Sequence, residues 1–294
     1  MPFVSEKGLS HIGTVVEKAL AQVDESQQHN RVLGEVVKIY AAIIQELVAN
    51  VLDDQVCLVT IIGSSVRGTA LPGRTDVDFY VQSPRLPELD DKSVKALSHK
   101  LNEAYYAKVG FSPTAMRSSD VVLAHTIGGL KDSIDSAKKL GISSFEVFIA
   151  GKKPAESELV SVHNQLLGIQ AEIPGASSRA IILKSVLDQL GIYGTNTNPN
   201  GRGFNGLSTE LLALNSRLSD PEKIQEFILE MVDLIFCMAT DCERQGDNGM
   251  VNLSLQSLVP DRLAMMPNGL KTVLAGYRIA KSHADVLERR LCSS

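Results

Sequence analysis

Two aspartates, Asp76 and Asp78, open the stretch DVDFYVQ shortly after the turn Gly63-Ser64-Ser65. Carboxylates are hard oxygen donors that suit Mg²⁺ or Mn²⁺, and two of them close together are what phosphoryl transfer needs to hold ions against a triphosphate. In DVDFYVQ, Val77, Phe79 and Val81 alternate with Asp76, Asp78 and Tyr80. This is the period of a strand with one buried face, so both acids point to the same side, roughly 6–7 Å apart along the strand. Gly63 lets the backbone approach phosphate closely, Ser64 and Ser65 offer hydroxyl and amide donors, and Arg67 or Arg74 supplies positive charge. A Gly-Ser turn alone is ordinary, and so is an Asp-x-Asp strand face. Their succession is what points to one site with Asp76 and Asp78 as metal ligands.

The elements around this site can be read from apolar spacing. Residues 31–51 carry the three- and four-residue spacing of an amphipathic helix and lead into the apolar run CLVTII at 57–62, which reads as a buried strand. A helix follows at 92–108, a strand at 118–127 and a helix at 130–139. In SSFEVFIA, at 143–150, Phe145, Val147 and Ile149 alternate with Glu146 and Phe148, and Glu146 projects from a strand toward the two aspartates. Beyond Pro154 the spacing is helical at 156–169, 177–190, 207–217, 220–242 and 268–290, and GTNTNPNGRG at 194–203 is a loop. The expectation is an α+β chain: a mixed-sheet catalytic domain with N-terminal helices over 1–155, then an all-helical nucleotide- or substrate-binding domain over 156–294.

Composition limits the partners. With 294 residues and 44% hydrophobic content, two modest cores are within reach. Lys plus Arg number 29 against 34 Asp plus Glu, so the net charge of −5 offers no overall basic field for a long nucleic acid. Cys57, Cys237, Cys242 and Cys292 lack zinc or disulfide-framework spacing, which reads as a reducing, intracellular setting. The N-terminus has no basic-then-apolar signal pattern and no 18-residue apolar run exists, so the expectation is a cytoplasmic protein with no membrane partner. Apolar stripes at 220–242 and 268–290 would serve as internal core or as a homodimer face.

The run IIGSSVRGTALPGRTDVDFYV resembles the signature of the DNA polymerase β-like nucleotidyltransferase superfamily: an apolar residue, Gly-Ser, a spacer, then Asp-x-Asp. Residues 177–214 are similar to the helical domain of archaeal-type (class I) CCA-adding enzymes, with oligoadenylate synthetases in the same branch. Those enzymes carry a helical Lys, a Tyr-Gly-Ser-like turn, then Gly-Phe-Ser-Gly-Tyr and Glu-Leu-Leu. Here stand Lys184, Tyr193-Gly194-Thr195, Gly203-Phe204-Asn205-Gly206-Leu207 and Glu210-Leu211-Leu212. The resemblance implies that Lys184 and Tyr193 contact the triphosphate, with His163 near the phosphates. It further implies that Arg262, in VPDRLAMM, helps fix the base, although Leu263 stands where the family has Asn.

The third carboxylate is where the chain departs from that pattern. One alignment gives the place to Glu146; another matches Glu146 to an earlier acid and puts Phe148 at the catalytic position. Glu can bind metal and accept the attacking hydroxyl's proton, whereas Phe can do neither. Asp120 is a further candidate at the start of a strand. Three functions follow: transfer of a nucleoside monophosphate from NTP to an RNA 3′ end, synthesis of an oligonucleotide or cyclic nucleotide, or a catalytically weakened binding or assembly subunit. Class I enzymes continue into tRNA-gripping domains. An acidic chain of this length is therefore expected to use a short acceptor end or small nucleotides, or to borrow RNA binding from a partner protein.

Overall fold

The computed structural model describes residues 4–52, 57–73, 75–82, 142–149, 154–193, 204–244, 250–253 and 277–292. The elements expected at 92–108, 118–127 and 130–139, the 194–203 loop, Arg74, Asp120 and Arg262 lie outside these residues. The chain forms two compact units, one of Met1–Asp24 with Gln165–Ser294 and one of Glu25–Asn164. It thus begins in the helical unit, leaves it for the sheet unit, and returns.

The sheet unit is built on α2 (Val23–Leu52), which begins well before the apolar spacing at 31 makes it legible. Among its described side chains, Ser26, Asn30, Leu33, Val37, Ile44 and Val48 are buried, a stripe at helical intervals. The stripe continues into the core with Cys57, Ile62, Ala70, Val77, Phe79, Tyr80 and Val81. β1 (Leu58–Ile62) pairs antiparallel with β2 (Thr75–Gln82), and β2 pairs parallel with β3 (Ile142–Ile149), giving the order β1-β2-β3. Between β1 and β2 stands the one-turn helix α3 (Ser64–Arg67). The sheet is mixed, and its three strands fall at the apolar run 57–62 and the alternating stretches 76–82 and 143–150.

Helix α4 (Pro154–Glu172) leads into the helical unit, whose centre is α5 (Ala176–Gln189). Every residue from Arg179 to Leu187 is buried, so α5 has no solvent face along that stretch. An α-helix covered all round must be packed on several sides. α1 (Glu6–Ala21) packs against α5 with Ile12, Val15, Val16 and Ala19, while α6 (Gly206–Leu212) packs on α5 from another direction. α7 (Pro221–Arg244) buries Ile224, Phe227, Ile228, Met231, Val232 and Ile235, so the stripe read at 220–242 is internal core along these positions. Ser5 caps α1, and its hydroxyl donates to the Leu291 carbonyl at 2.9 Å, which ties α1 to α8 (Lys281–Leu291).

This unit is not wholly helical. β4 (Met250–Leu253) and β5 (Tyr277–Ala280) form a two-stranded antiparallel ribbon. Of the helix expected over 268–290, the described residues are helical from Lys281, while Tyr277–Ala280 is a strand whose partner, distant in sequence, local apolar spacing cannot reveal. No helix among the described residues is long and apolar enough to cross a membrane.

Candidate functional site

In the sheet unit, the site is set by the backbone at Gly63. This residue leaves β1 with φ 85° and ψ −170°, a conformation that L side chains rarely adopt, and caps α3. A Cβ at this position would collide with Oδ2 of Asp78 and stand 3.2 Å from its Cγ. Gly63 therefore serves two needs at once: the turn, and the close approach of a carboxylate to the start of α3. Asp78 itself is partly exposed and pairs in register with Ile62, the residue before Gly63.

The parallel register of β2 and β3 places Glu146 opposite Asp78, Ser144 opposite Asp76 and Phe148 opposite Tyr80. Neighbouring strands run about 4.8 Å apart, so the backbone brings Glu146 alongside the second aspartate, with Phe148 one side-chain step further along. The side chains of Asp76 and Glu146 lie outside the described set; their strand positions are what the fold supplies.

The rest of the loop is held by buried polar contacts. Ser65 is 2% exposed, and its hydroxyl has no hydrogen-bond partner. Arg67 is buried, and its Nη1 lies 2.7 Å from Nδ1 of His163, itself 4% exposed on α4. A guanidinium can only donate, which assigns the imidazole proton to Nε2 and makes His163 a neutral acceptor in this bond. Thr69 N donates to the Ser64 carbonyl at 3.0 Å, closing α3. Thus Gly63, Ser64, Ser65, Arg67, Asp78 and His163, all named from sequence, belong to one local assembly in this unit.

Two residues that sequence reasoning passed over hold that assembly in place. Asn30 receives the Ala70 amide on Oδ1 and donates from Nδ2 to the Ala70 carbonyl, both at 2.9 Å, so one side chain satisfies both backbone groups of a loop residue. Gln45 receives Val59 N at 2.7 Å and donates to the Cys57 carbonyl, tying the start of β1 to α2. The available signal was position: Asn30 lies on the buried stripe of an amphipathic helix, where an amide must find partners.

The other predicted residues lie in the helical unit. Lys184 is 1% exposed and its ammonium forms a 2.6 Å ion pair with Oε1 of Glu210, which is fully buried. Gln170 Nε2 donates to the other oxygen of Glu210 at 3.4 Å. Tyr193 is placed by the end of α5, where Gly191 takes φ 77° and the amides of Ile192 and Tyr193 both donate to the Leu187 carbonyl. A bridge between Tyr193 and Phe204 then brings the chain back to α6. A Cβ at Gly206 would lie 3.5 Å from the Tyr193 hydroxyl and 3.9 Å from Lys184 Nζ, so both polar atoms border the same small space.

No family model and no curated protein sequence matches this chain. Among solved structures it is similar to terminal uridylyl transferase 4 from Trypanosoma brucei with bound dUTP, at 13% sequence identity and a TM-score of 0.40, covering 64% of this chain and 57% of that one. The match thus spans little more than half of that protein's length. At this depth the likeness assigns no activity here, and the chemistry rests on the residues described above.

Proposed function

We propose that this chain is a nucleotidyltransferase that moves a nucleoside monophosphate from an NTP to a hydroxyl acceptor, with the 3′ end of RNA as the favoured acceptor. The observation that supports it is the meeting of Gly63, Asp78 and Glu146: a carboxylate seated on a positive-φ glycine loop, with a second acid in register on the neighbouring strand. The donor set of Asp76, Asp78 and Glu146 consists only of carboxylate oxygens, which fits Mg²⁺ or Mn²⁺ and does not fit soft metals. Bound there, the ions supply neutralisation of charge on the reacting phosphate.

The chain's own residues do the remaining work. The loop from Gly63 to Arg67 receives the phosphates through backbone amides and the Ser64 and Ser65 hydroxyls. Arg67, fixed by His163, adds a positive charge that is not free to swing away. The acceptor oxygen forms its bond to the α-phosphorus as the bond to the β-phosphate bridging oxygen breaks, pyrophosphate leaves, and the hydroxyl proton passes to Glu146. The resemblance further assigns Lys184, Tyr193 and Arg262 to nucleotide binding.

The test uses purified protein with Mg²⁺ or Mn²⁺, each α-labelled NTP in turn, and short RNA acceptors. Extension that disappears in Asp78→Asn supports the proposal, and its absence with every NTP and acceptor sinks it. Products formed without RNA would redirect the acceptor to a nucleotide. NTP binding without transfer would leave a binding subunit, the outcome in which Phe148 rather than Glu146 occupies the third ligand position.

A further inference from the structure

Among the described residues β1 is an edge strand, with β2 on one side of it in the order β1-β2-β3. The free side of an edge strand presents N–H and C=O groups that invite another strand, and proteins blunt such edges with charge, proline, a bulge or a covering element. β1 has none of the first three. Leu58, Val59, Thr60, Ile61 and Ile62 include no charge and no proline, and their register with β2 runs without a shift. Leu58 is 55% exposed. An apolar, largely β-branched strand of this kind is a ready template for a second chain.

A single side chain stands against that edge. In an antiparallel ladder, alternate residues turn their N–H and C=O toward the partner strand, and the residues between them turn both away. The Val59 amide donates to Gln45 Oε1 at 2.7 Å and so faces away from β2. The Cys57 carbonyl, two residues earlier and on the same side, accepts from Gln45 Nε2. One amide thus takes both a donor and an acceptor that an added strand would need. Gln45 stands on α2, within the same unit as β1.

We infer that Gln45 guards the edge of β1: it occupies the backbone groups through which a second copy of this chain would add its own β1. Ile61, two residues beyond Val59, turns its backbone the same way and lengthens the edge that loss of the amide would uncover. Pairing of two identical edges about a twofold axis is self-complementary, so the partner that fits is the chain itself. This role is separate from the transfer proposed above.

The experiment is sedimentation velocity on the full chain over a series of concentrations, with circular dichroism and urea unfolding for each variant. Gln45→Met keeps the side chain's length and removes both bonds, and Leu58→Lys places a charge at an exposed position of the edge. Gln45→Met is expected to raise the weight-average mass about twofold or more over the parent protein as concentration increases. The double variant Gln45→Met/Leu58→Lys returns to the parent's mass without recovering its urea midpoint. A folded Gln45→Met variant with the parent's mass at every concentration overturns the inference. Association that Leu58→Lys leaves intact overturns it too, because the contact then lies elsewhere. If Gln45→Met does not fold, Gln45→Glu takes its place: it keeps an acceptor for Val59, sets a second acceptor against the Cys57 carbonyl, and shows a weaker association that Leu58→Lys again removes. Loss of the fold in both variants also overturns the inference, since Gln45 is then required by the fold itself and does not merely close its edge.

Discussion

The two units handle charge in opposite ways. In the sheet unit, Asp78 stays partly exposed and is placed by backbone: a glycine with φ 85°, a register-paired strand, and amides of α2 that grip the flanking chain. In the helical unit, Lys184 and Glu210 are removed from water and placed by each other. A carboxylate taken out of water without a counter-charge shifts toward its neutral form. A lysine that needs only orientation can be buried, provided a counter-charge goes with it. Exposure therefore separates a carboxylate open to solvent from an ion pair closed to it.

The contrast predicts which variants lose activity and which lose the fold. Asp78→Asn should lower transfer on the order of a thousandfold or more, about 4 kcal/mol in the barrier, while the urea midpoint stays near that of the parent protein. A large drop in stability would mean that Asp78 is structural after all. Glu210→Ala should behave in the reverse sense, destabilising by about 3–5 kcal/mol in chemical denaturation because it leaves a buried ammonium unpaired. If Glu210→Ala unfolds no more easily than the parent, the ion pair is not the constraint its burial implies.

Gly63→Ala lies between these cases. The positive φ and the collision with Asp78 together should cost about 1–3 kcal/mol of stability and displace the carboxylate, so transfer falls as well. Asn30→Ala leaves the two backbone groups of Ala70 without their partner and should destabilise by about 1–3 kcal/mol, with activity returning at low temperature where the loop is intact.

The smallest effect concerns His29. It is half-buried with Nε2 unpartnered, and loss of hydration pulls its pKa below the ordinary value, with Glu25 opposing in part. Its neutral form is the one that the fold favours. The contribution is therefore fully present above the unfolded value of about 6.5 and is lost as pH falls through the lower folded value. Denaturation midpoints at several pH values between neutral and mildly acidic should show this slope, and His29→Gln should flatten it.

What could be read from the chain beforehand follows the same division. The Gly63 loop was legible because backbone geometry there restricts the residue type to glycine, and Asp76 and Asp78 were legible as alternate positions of one strand. Glu146 was legible as a strand residue, but its place opposite Asp78 depends on a pairing between segments far apart in sequence. Asn30 and Gln45 went unread because each stands in an unremarkable helix, and Glu210 was read only as part of a motif, without its partner. Their partners, Ala70, Val59 and Lys184, are chosen only by the tertiary fold. The strand at Tyr277–Ala280 escaped for a related reason, since its ladder partner begins at Met250 and nothing local announces it.

The contact between Gly63 and Asp78 also bears on how such a chain can change over generations. The residue that position 63 accepts is dictated by an atom on another strand, so the two positions do not drift separately. A lineage that places a side chain at 63 first displaces the carboxylate, whereas one that first shortens Asp78 relieves the collision but not the backbone's demand for glycine. Loss of the carboxylate is thus the easier first step, and glycine would outlast it as a trace of the site.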